Sequence, residues 1–215
     1  MIWRIIICLL IGYGFGCIST GYIVGKSQKI DIRKYGSGNV GTTNALRTLG
    51  KKAALITLLG DVFKCAIPVL LVKFLIFKDM SYTDLLGLYT ALGAVLGHTF
   101  PFYLKFKGGK GIAVLVGTIL TFDWKIFLIC VATFFIILAI TKYVSLGSLI
   151  MEIEFVAWVA IMRPGDWHML VLSAVFAVLA FYTHRENIKR LLKGTENKIG
   201  QKVKIPTEDA EKKDE

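Results

Sequence analysis

Seven apolar blocks, at residues 5–24, 53–77, 85–104, 112–122, 126–141, 144–161 and 168–182, alternate along the chain with short polar stretches. Within each block the apolar residues are contiguous and not set at amphipathic spacing, which is the pattern of bilayer-crossing helices. Of the 215 residues, 55% are hydrophobic, and a water-soluble domain of that length has no core large enough to hide them. The fold class expected is therefore an all-α integral membrane protein of about seven transmembrane helices. The block at 112–122 is the weak member, because a straight crossing takes about 20 residues. The first block runs past Cys17 without a convincing cleavage site, so it reads as a retained span and not a signal peptide.

Lysine and arginine set the orientation. With the N-terminus outside and the C-terminus cytoplasmic, seven crossings place Lys26, Lys29, Arg33, Lys34, Arg47, Lys51 and Lys52 inside. Lys105, Lys107, Lys110, Lys142 and the C-terminal basic run join them, and only Arg4, Lys78, Lys125 and Arg163 fall outside. A re-entrant hairpin at 112–141 would keep Lys110 and Lys142 on one side. A single crossing through Asp123 would break the scheme and bury a carboxylate. The formal net charge of +11 then reflects positive-inside loops and anionic substrates. No basic stripe with interleaved aromatics points to nucleic acid. Cys8, Cys17, Cys65 and Cys130 lie in apolar blocks without CxxC pairing, so buried free thiols are expected, with neither disulfides nor a metal site. Gly12 and Gly16, then Gly21 and Gly25, would let a neighbouring helix of the same chain approach closely.

Three basic loops, at 26–52, 105–111 and 183–199, carry the chemistry. In the first, Gly36, Gly38 and Gly41 fit the GxGxxG spacing, but the strand and βαβ unit of a dinucleotide site are missing. The glycines can instead turn backbone N–H groups inward as an anion nest. Gly41 and Thr42 can open a helix on which Thr43 and Arg47 share a face, and Arg47 can fork onto a phosphate. The bland alternative is a charged flexible loop. In the second, lysines flank Gly108, Gly109 and Gly111, which suits a phosphate although no GxxxxGK[ST] is present. A positive-inside anchor would need the lysines but not the glycines. His98 is as good a packing histidine as a functional one. In the third, His184 and Asn187 share a helix face, where the histidine can act as base or as donor to phosphate. The alternative there is a basic juxtamembrane helix on anionic lipid. Within the spans, Asp61 and Lys64 are expected to pair, while Glu152 and Glu154 point to different faces and receive no role.

Taken together, GSGNVGTTNALR at 36–47, GHTFPFYLKFKGGKG at 97–111 and HRENIKRLLKGTENK at 184–198 resemble one family. It is that of the bacterial membrane acyltransferases that move a fatty acyl group from acyl phosphate to the 1-hydroxyl of glycerol 3-phosphate. The resemblance spans nearly the whole chain, with Thr42 where the family usually has alanine and Cys65 where glycine is common. It implies one transmembrane acyltransferase domain at 1–200, and the charged composition of 201–215 leads us to expect a disordered cytoplasmic tail there. It also implies a multi-pass protein of the cell (inner or plasma) membrane whose active site faces the cytoplasm, making lysophosphatidic acid in the first step of phospholipid synthesis. No cofactor is implied, and the soluble enzyme that makes acyl phosphate is an implied partner. Ser37, Arg47, Lys110, His184 and Asn187 are the implied catalytic residues. Gly38, Asn39, Thr43, Asn44, Lys107, Gly108, Gly109 and Glu196 are the implied substrate- and phosphate-binding residues.

An acyl phosphate is already activated, so the protein has mainly to juxtapose hydroxyl and carbonyl and to stabilise the oxyanion. No GxSxG elbow exists and Ser37 has no adjacent base, so an acyl-enzyme is not expected. Substrate phosphate or His184 would accept the hydroxyl proton. The HxxxxD arrangement of another acyltransferase class is missing: Tyr103, Ser173 and Lys189 stand five residues after the three histidines. The rival from another class is an organic-anion or phosphate transporter, which would show internal repeats and midplane phosphate groups. A third possibility, an interaction protein with lipid-binding loops, does not account for the interleaved glycine and asparagine of the first loop.

Overall fold

A computed structural model describes residues 1–201 and 203, so the tail expected to be disordered lies outside the described residues but for Gln201 and Val203. The regular structure of the described residues is all helical. The order is α1 (Ile2–Gly16), α2 (Thr20–Ser27), α3 (Thr42–Thr48), α4 (Lys51–Leu71), α5 (Thr83–Thr99), α6 (Ile112–Phe122), α7 (Trp124–Thr141), α8 (Val144–Met162), α9 (Trp167–Thr183) and α10 (Arg185–Leu192). Five stretches are long and apolar enough to cross a bilayer: Ile2–Ser27, Lys51–Ile76, Thr83–Leu104, Trp124–Thr141 and Val144–Met162. The pair α9 and α10, bent by 64°, makes a possible sixth. With 11 residues, α6 rises only about 17 Å, short of the apolar thickness of about 30 Å. The all-helical membrane fold stands, but as five or six full-length elements beside a short α6 and not as seven equal ones. Asp123 takes extended backbone between α6 and α7 and caps α7 through Lys125 N–H at 2.7 Å. A single long helix through 112–141 is thereby excluded.

The first apolar block is also interrupted. Between α1 and α2 the chain leaves helical geometry at Ser19 (φ −87°, ψ 87°). Backbone groups freed in an apolar layer need partners from elsewhere in the protein. Tyr103 supplies two contacts: its hydroxyl donates to Cys17 O at 2.7 Å and accepts from Ser19 N–H at 3.3 Å. Lys64 donates to Ile18 O at 2.8 Å.

The central element is α5, whose span is 78% buried, against 11% for the lipid-facing α7. It packs directly on α1, backbone to backbone. A Cβ on Gly12 would lie 1.9 Å from Thr90 O, and one on Gly97 would lie 2.3 Å from Tyr13 O. The small residues expected to admit a neighbour of the same chain do so here. Gly21 admits the first loop instead, against Val40 O. At the other end of α5, Lys73 pairs with Asp84 at 2.8 Å and donates to Thr121 O at 3.0 Å, so it satisfies a terminal carbonyl of the short α6. Asp61 and Lys64 form the expected buried pair at 2.8 Å. In α8, Glu152 is buried, and Oε2 of both Glu152 and Glu154 has no hydrogen-bond partner among the described residues.

Candidate active site

The first loop is organised by two asparagines. Asn44, buried on α3, donates from Nδ2 to Asn39 O at 2.8 Å, Tyr35 O at 3.1 Å and Ile32 O at 3.2 Å. Its Oδ1 accepts from Ser37 N–H at 2.9 Å. Asn39 Oδ1 accepts from Gly41 N–H at 2.8 Å, and Gly38 N–H donates to Tyr35 O at 3.0 Å. Gly36 is needed twice over, because its φ is +62° and a Cβ would lie 2.2 Å from Asn44 Oδ1. The amides of Ser37, Gly38 and Gly41 are thus engaged inside the loop, so the expected anion nest is not formed by them. Asn44, expected among the phosphate-binding residues, instead holds the loop in shape, with its amide fully occupied.

This shape leaves Gly36, Ser37 and Arg47 along a pocket of about 380 Å³, closed on its far side by Asn197, Gln201 and Val203. Val203 N–H meets Arg47 O at 3.4 Å. Arg47 is half-buried, and its Nε has no partner among the described residues. Burial pulls its pKa down, Glu196 opposes that, and Arg190 adds to it. Thr43 is half-buried on α3 and lines neither this pocket nor the next.

The second loop doubles back on the end of α5. Gly108 N–H donates to Thr99 O and Gly109 N–H to His98 O, each at 3.0 Å. These amides finish the α5 C-terminus, which leaves the lysine side chains as the donors of this loop. A second pocket, of about 290 Å³, runs between this loop and the α9–α10 corner. Asn39, Thr99, Lys107, Gly108, Gly109, Lys110, Thr183 and Arg185 form its polar side, and Phe100, Phe106 and Tyr182 its apolar side. Asn39 thereby lies at the second pocket, apart from Ser37 at the first.

The third loop meets the other two at Glu196. Its Oε1 accepts from Asn187 Nδ2 at 2.6 Å and from Ser145 Oγ at 3.1 Å, and its Oε2 from Arg190 Nε at 2.8 Å. Lys110 Nζ donates to Asn187 Oδ1. Burial brings the Lys110 ammonium down to about 8, with Glu196 opposing and the Arg190 and Arg47 charges assisting. His184 Nδ1 lies 2.8 Å from Ala180 O and therefore carries the proton there, leaving Nε2 with its lone pair. Burial, helped by the Lys110 charge, pushes this imidazole down to about 4, so it is neutral at physiological pH.

Glu196 is paired directly with Arg190, Lys110 reaches it through Asn187, and Arg47 feels its charge at longer range, so three cations and one buried carboxylate leave a net positive field suited to phosphate. Glu196 and Asn187 sit within this network as its connectors. Arg190 belongs to the third motif, and its position three residues after Asn187 on one helix face is the signal that marks it in the sequence. Ser145, on α8, carried no signal in the sequence. Among the described residues no cluster of His, Cys, Asp and Glu suits a metal ion.

Residues 6–194 match the family described as glycerol-3-phosphate acyltransferase. The glycerol-3-phosphate acyltransferase of Thermoanaerobacter pseudethanolicus is 44% identical over 201 residues, covering 93% of this chain and 98% of that one. That of Bacillus subtilis is 40% identical over 196 residues, covering 91% and 97%. Among solved structures, PlsY, an integral membrane glycerol 3-phosphate acyltransferase, matches in its glycerol 3-phosphate form with a TM-score of 0.83. The identity is 33%, over 91% of this chain and 96% of that one. Its lysophosphatidic acid form gives 0.80 at 32% identity, over 92% and 96%.

Proposed function

Because the chain belongs to the glycerol-3-phosphate acyltransferase family, we propose that it transfers a fatty acyl group from acyl phosphate to the 1-hydroxyl of sn-glycerol 3-phosphate, releasing lysophosphatidic acid and phosphate. The observation that carries this reading is the network Lys110–Asn187–Glu196–Arg190, with Lys110 lining one pocket and Arg47 the other. Two pockets with a shared positive field suit a reaction in which both substrates carry phosphate. The pocket that includes Phe100, Phe106 and Tyr182 suits the acyl phosphate, and the pocket at Ser37 and Arg47 suits the acceptor.

In the reaction the 1-hydroxyl oxygen attacks the acyl carbonyl carbon. The bond from that carbon to the phosphate oxygen breaks, and phosphate leaves with the electron pair. An imidazole at about 4 is a weak proton acceptor, so the hydroxyl proton passes to the departing phosphate. His184 is buried and lines neither pocket, so through its Nδ1–H bond to Ala180 O it fixes the α9–α10 corner beside the site. Lys110 and Arg47 stabilise charge developing on the phosphate and carbonyl oxygens. Ser37, at the mouth of the acceptor pocket, positions glycerol 3-phosphate and forms no acyl-enzyme. A transporter would place its phosphate groups at midplane, whereas this cluster lies at helix ends.

The three loops lie at one end of the helices, and the charge asymmetry assigns that end to the cytoplasm, with the N-terminus outside. This agrees with a water-soluble acceptor and with delivery of acyl phosphate by a soluble enzyme. The decisive experiment supplies acyl phosphate to the purified protein with and without glycerol 3-phosphate. Phosphate release that requires the acceptor and yields lysophosphatidic acid supports the assignment. Release independent of the acceptor, or none from folded protein, overturns it.

A further inference from the structure

We infer that His98 is a positioning residue for the Gly108–Lys110 loop, held in place by the buried Asp61–Lys64 pair. The Lys64 ammonium has three donors, and all three are engaged: Ile18 O at 2.8 Å, Asp61 Oδ1 at 2.8 Å and His98 Nδ1 at 2.7 Å. One side chain therefore joins the α1–α2 break, α4 and the end of α5. Because Nδ1 accepts from an ammonium, the His98 ring is neutral and fixed in rotation. Its opposite edge lies flat against Gly109, where a Cβ would fall 1.9 Å from Nε2 and 2.4 Å from Cε1. The backbone repeats the contact, since Gly109 N–H donates to His98 O at 3.0 Å. His98 is only 4% exposed, and Gly109 lies against its Nε2 edge. The ring thus sets how far Gly109, and with it Lys110, stands from the end of α5. Asp61 and Lys64 lie inside α4, away from both pockets. Their role is to immobilise the surface on which the lysine loop rests.

The inference uses acyl transfer as one readout and phosphate binding as another, so its failure is distinguishable from failure of the assigned reaction. A double-mutant cycle joins His98→Ala and Gly109→Ala in the full chain, with KM measured separately for acyl phosphate and glycerol 3-phosphate. Gly109→Ala drives the loop off the pinned ring and raises KM for acyl phosphate, the substrate assigned to the pocket that this loop lines, by about a hundredfold, and His98→Ala loosens it and raises the same KM by about tenfold. In each single variant kcat falls as well, because Lys110 meets charge that develops in the transition state. In the double variant the added methyl fills space left by the ring, and KM falls to the His98→Ala value or below. Effects that multiply, a fall in kcat with KM unchanged, or His98→Ala without effect on either KM would each overturn the inference. Protection of the same four proteins from thermal unfolding by inorganic phosphate follows the same pattern, whatever the acyl donor proves to be.

Discussion

At the residue scale, Lys110 makes the sharpest prediction. Its ammonium is the form that attracts phosphate, and burial brings it down to about 8. The charged form prevails below that value and is lost as pH rises through it. The expected profile is kcat/KM falling about tenfold per pH unit on the alkaline side of 8, and Lys110→Arg should move that limb upward. A profile flat to pH 10 would remove Lys110 from phosphate binding. Because the His184 ring already stays neutral down to about 4, no inflection near 6.5 should arise from it. Asn44 tests the architecture of the first loop. Asn44→Ala strands Ser37 N–H and three carbonyls, and the loss is about 3 kcal/mol of stability, read as a lower denaturation midpoint in detergent. Unchanged stability with a raised KM would instead make Asn44 a substrate contact.

At the level of elements, the α1–α5 contact leaves no room for a side chain. A Cβ on Gly16 would lie 2.2 Å from Ala94 O, which is backbone and cannot rotate away. Gly16→Val is therefore expected to abolish folded protein, seen as loss of the monodisperse peak on size exclusion. In α8 the opposite outcome is expected. Glu152 is 3% exposed and its Oε2 has no partner among the described residues, so Glu152→Met should stabilise the protein by about 2 kcal/mol. A lower midpoint would mean that this carboxyl has a partner in the membrane. Most of these elements were legible because apolar runs mark helices directly: α6 has the bounds of its block, and α8 differs from its own by one residue. The break at Cys17–Ser19 was not legible, since no proline marks it and the groups that satisfy it, Lys64 and Tyr103, come from elsewhere in the chain. The same limit applied to the site. Lys110, Arg47, His184 and Asn187 stood out by residue type, whereas the engagement of the loop amides by Asn39, Asn44 and the end of α5 is a tertiary fact.

For the whole molecule, orientation is open to a direct test because the four native cysteines are all buried and give little background. Lys193→Cys in intact cells should resist a membrane-impermeant maleimide until the membrane is opened, while Lys78→Cys should react at once. The reverse labelling would turn the topology over and put the acceptor on the outer side. The protein's polar groups are concentrated at the two ends, with Arg163 and Lys73 gathered on Asp84 at one and the cationic site gathered on Glu196 at the other. Glu196 lies beyond α10, after every bilayer-crossing element has been made. The enzyme consequently matures from its last connector: a nascent chain halted just short of residue 196 would hold all its long helices in the bilayer while Arg47, Lys110 and Arg190 repelled one another without a counterion. Assembly of the cationic site therefore depends on a connector made after all the long helices.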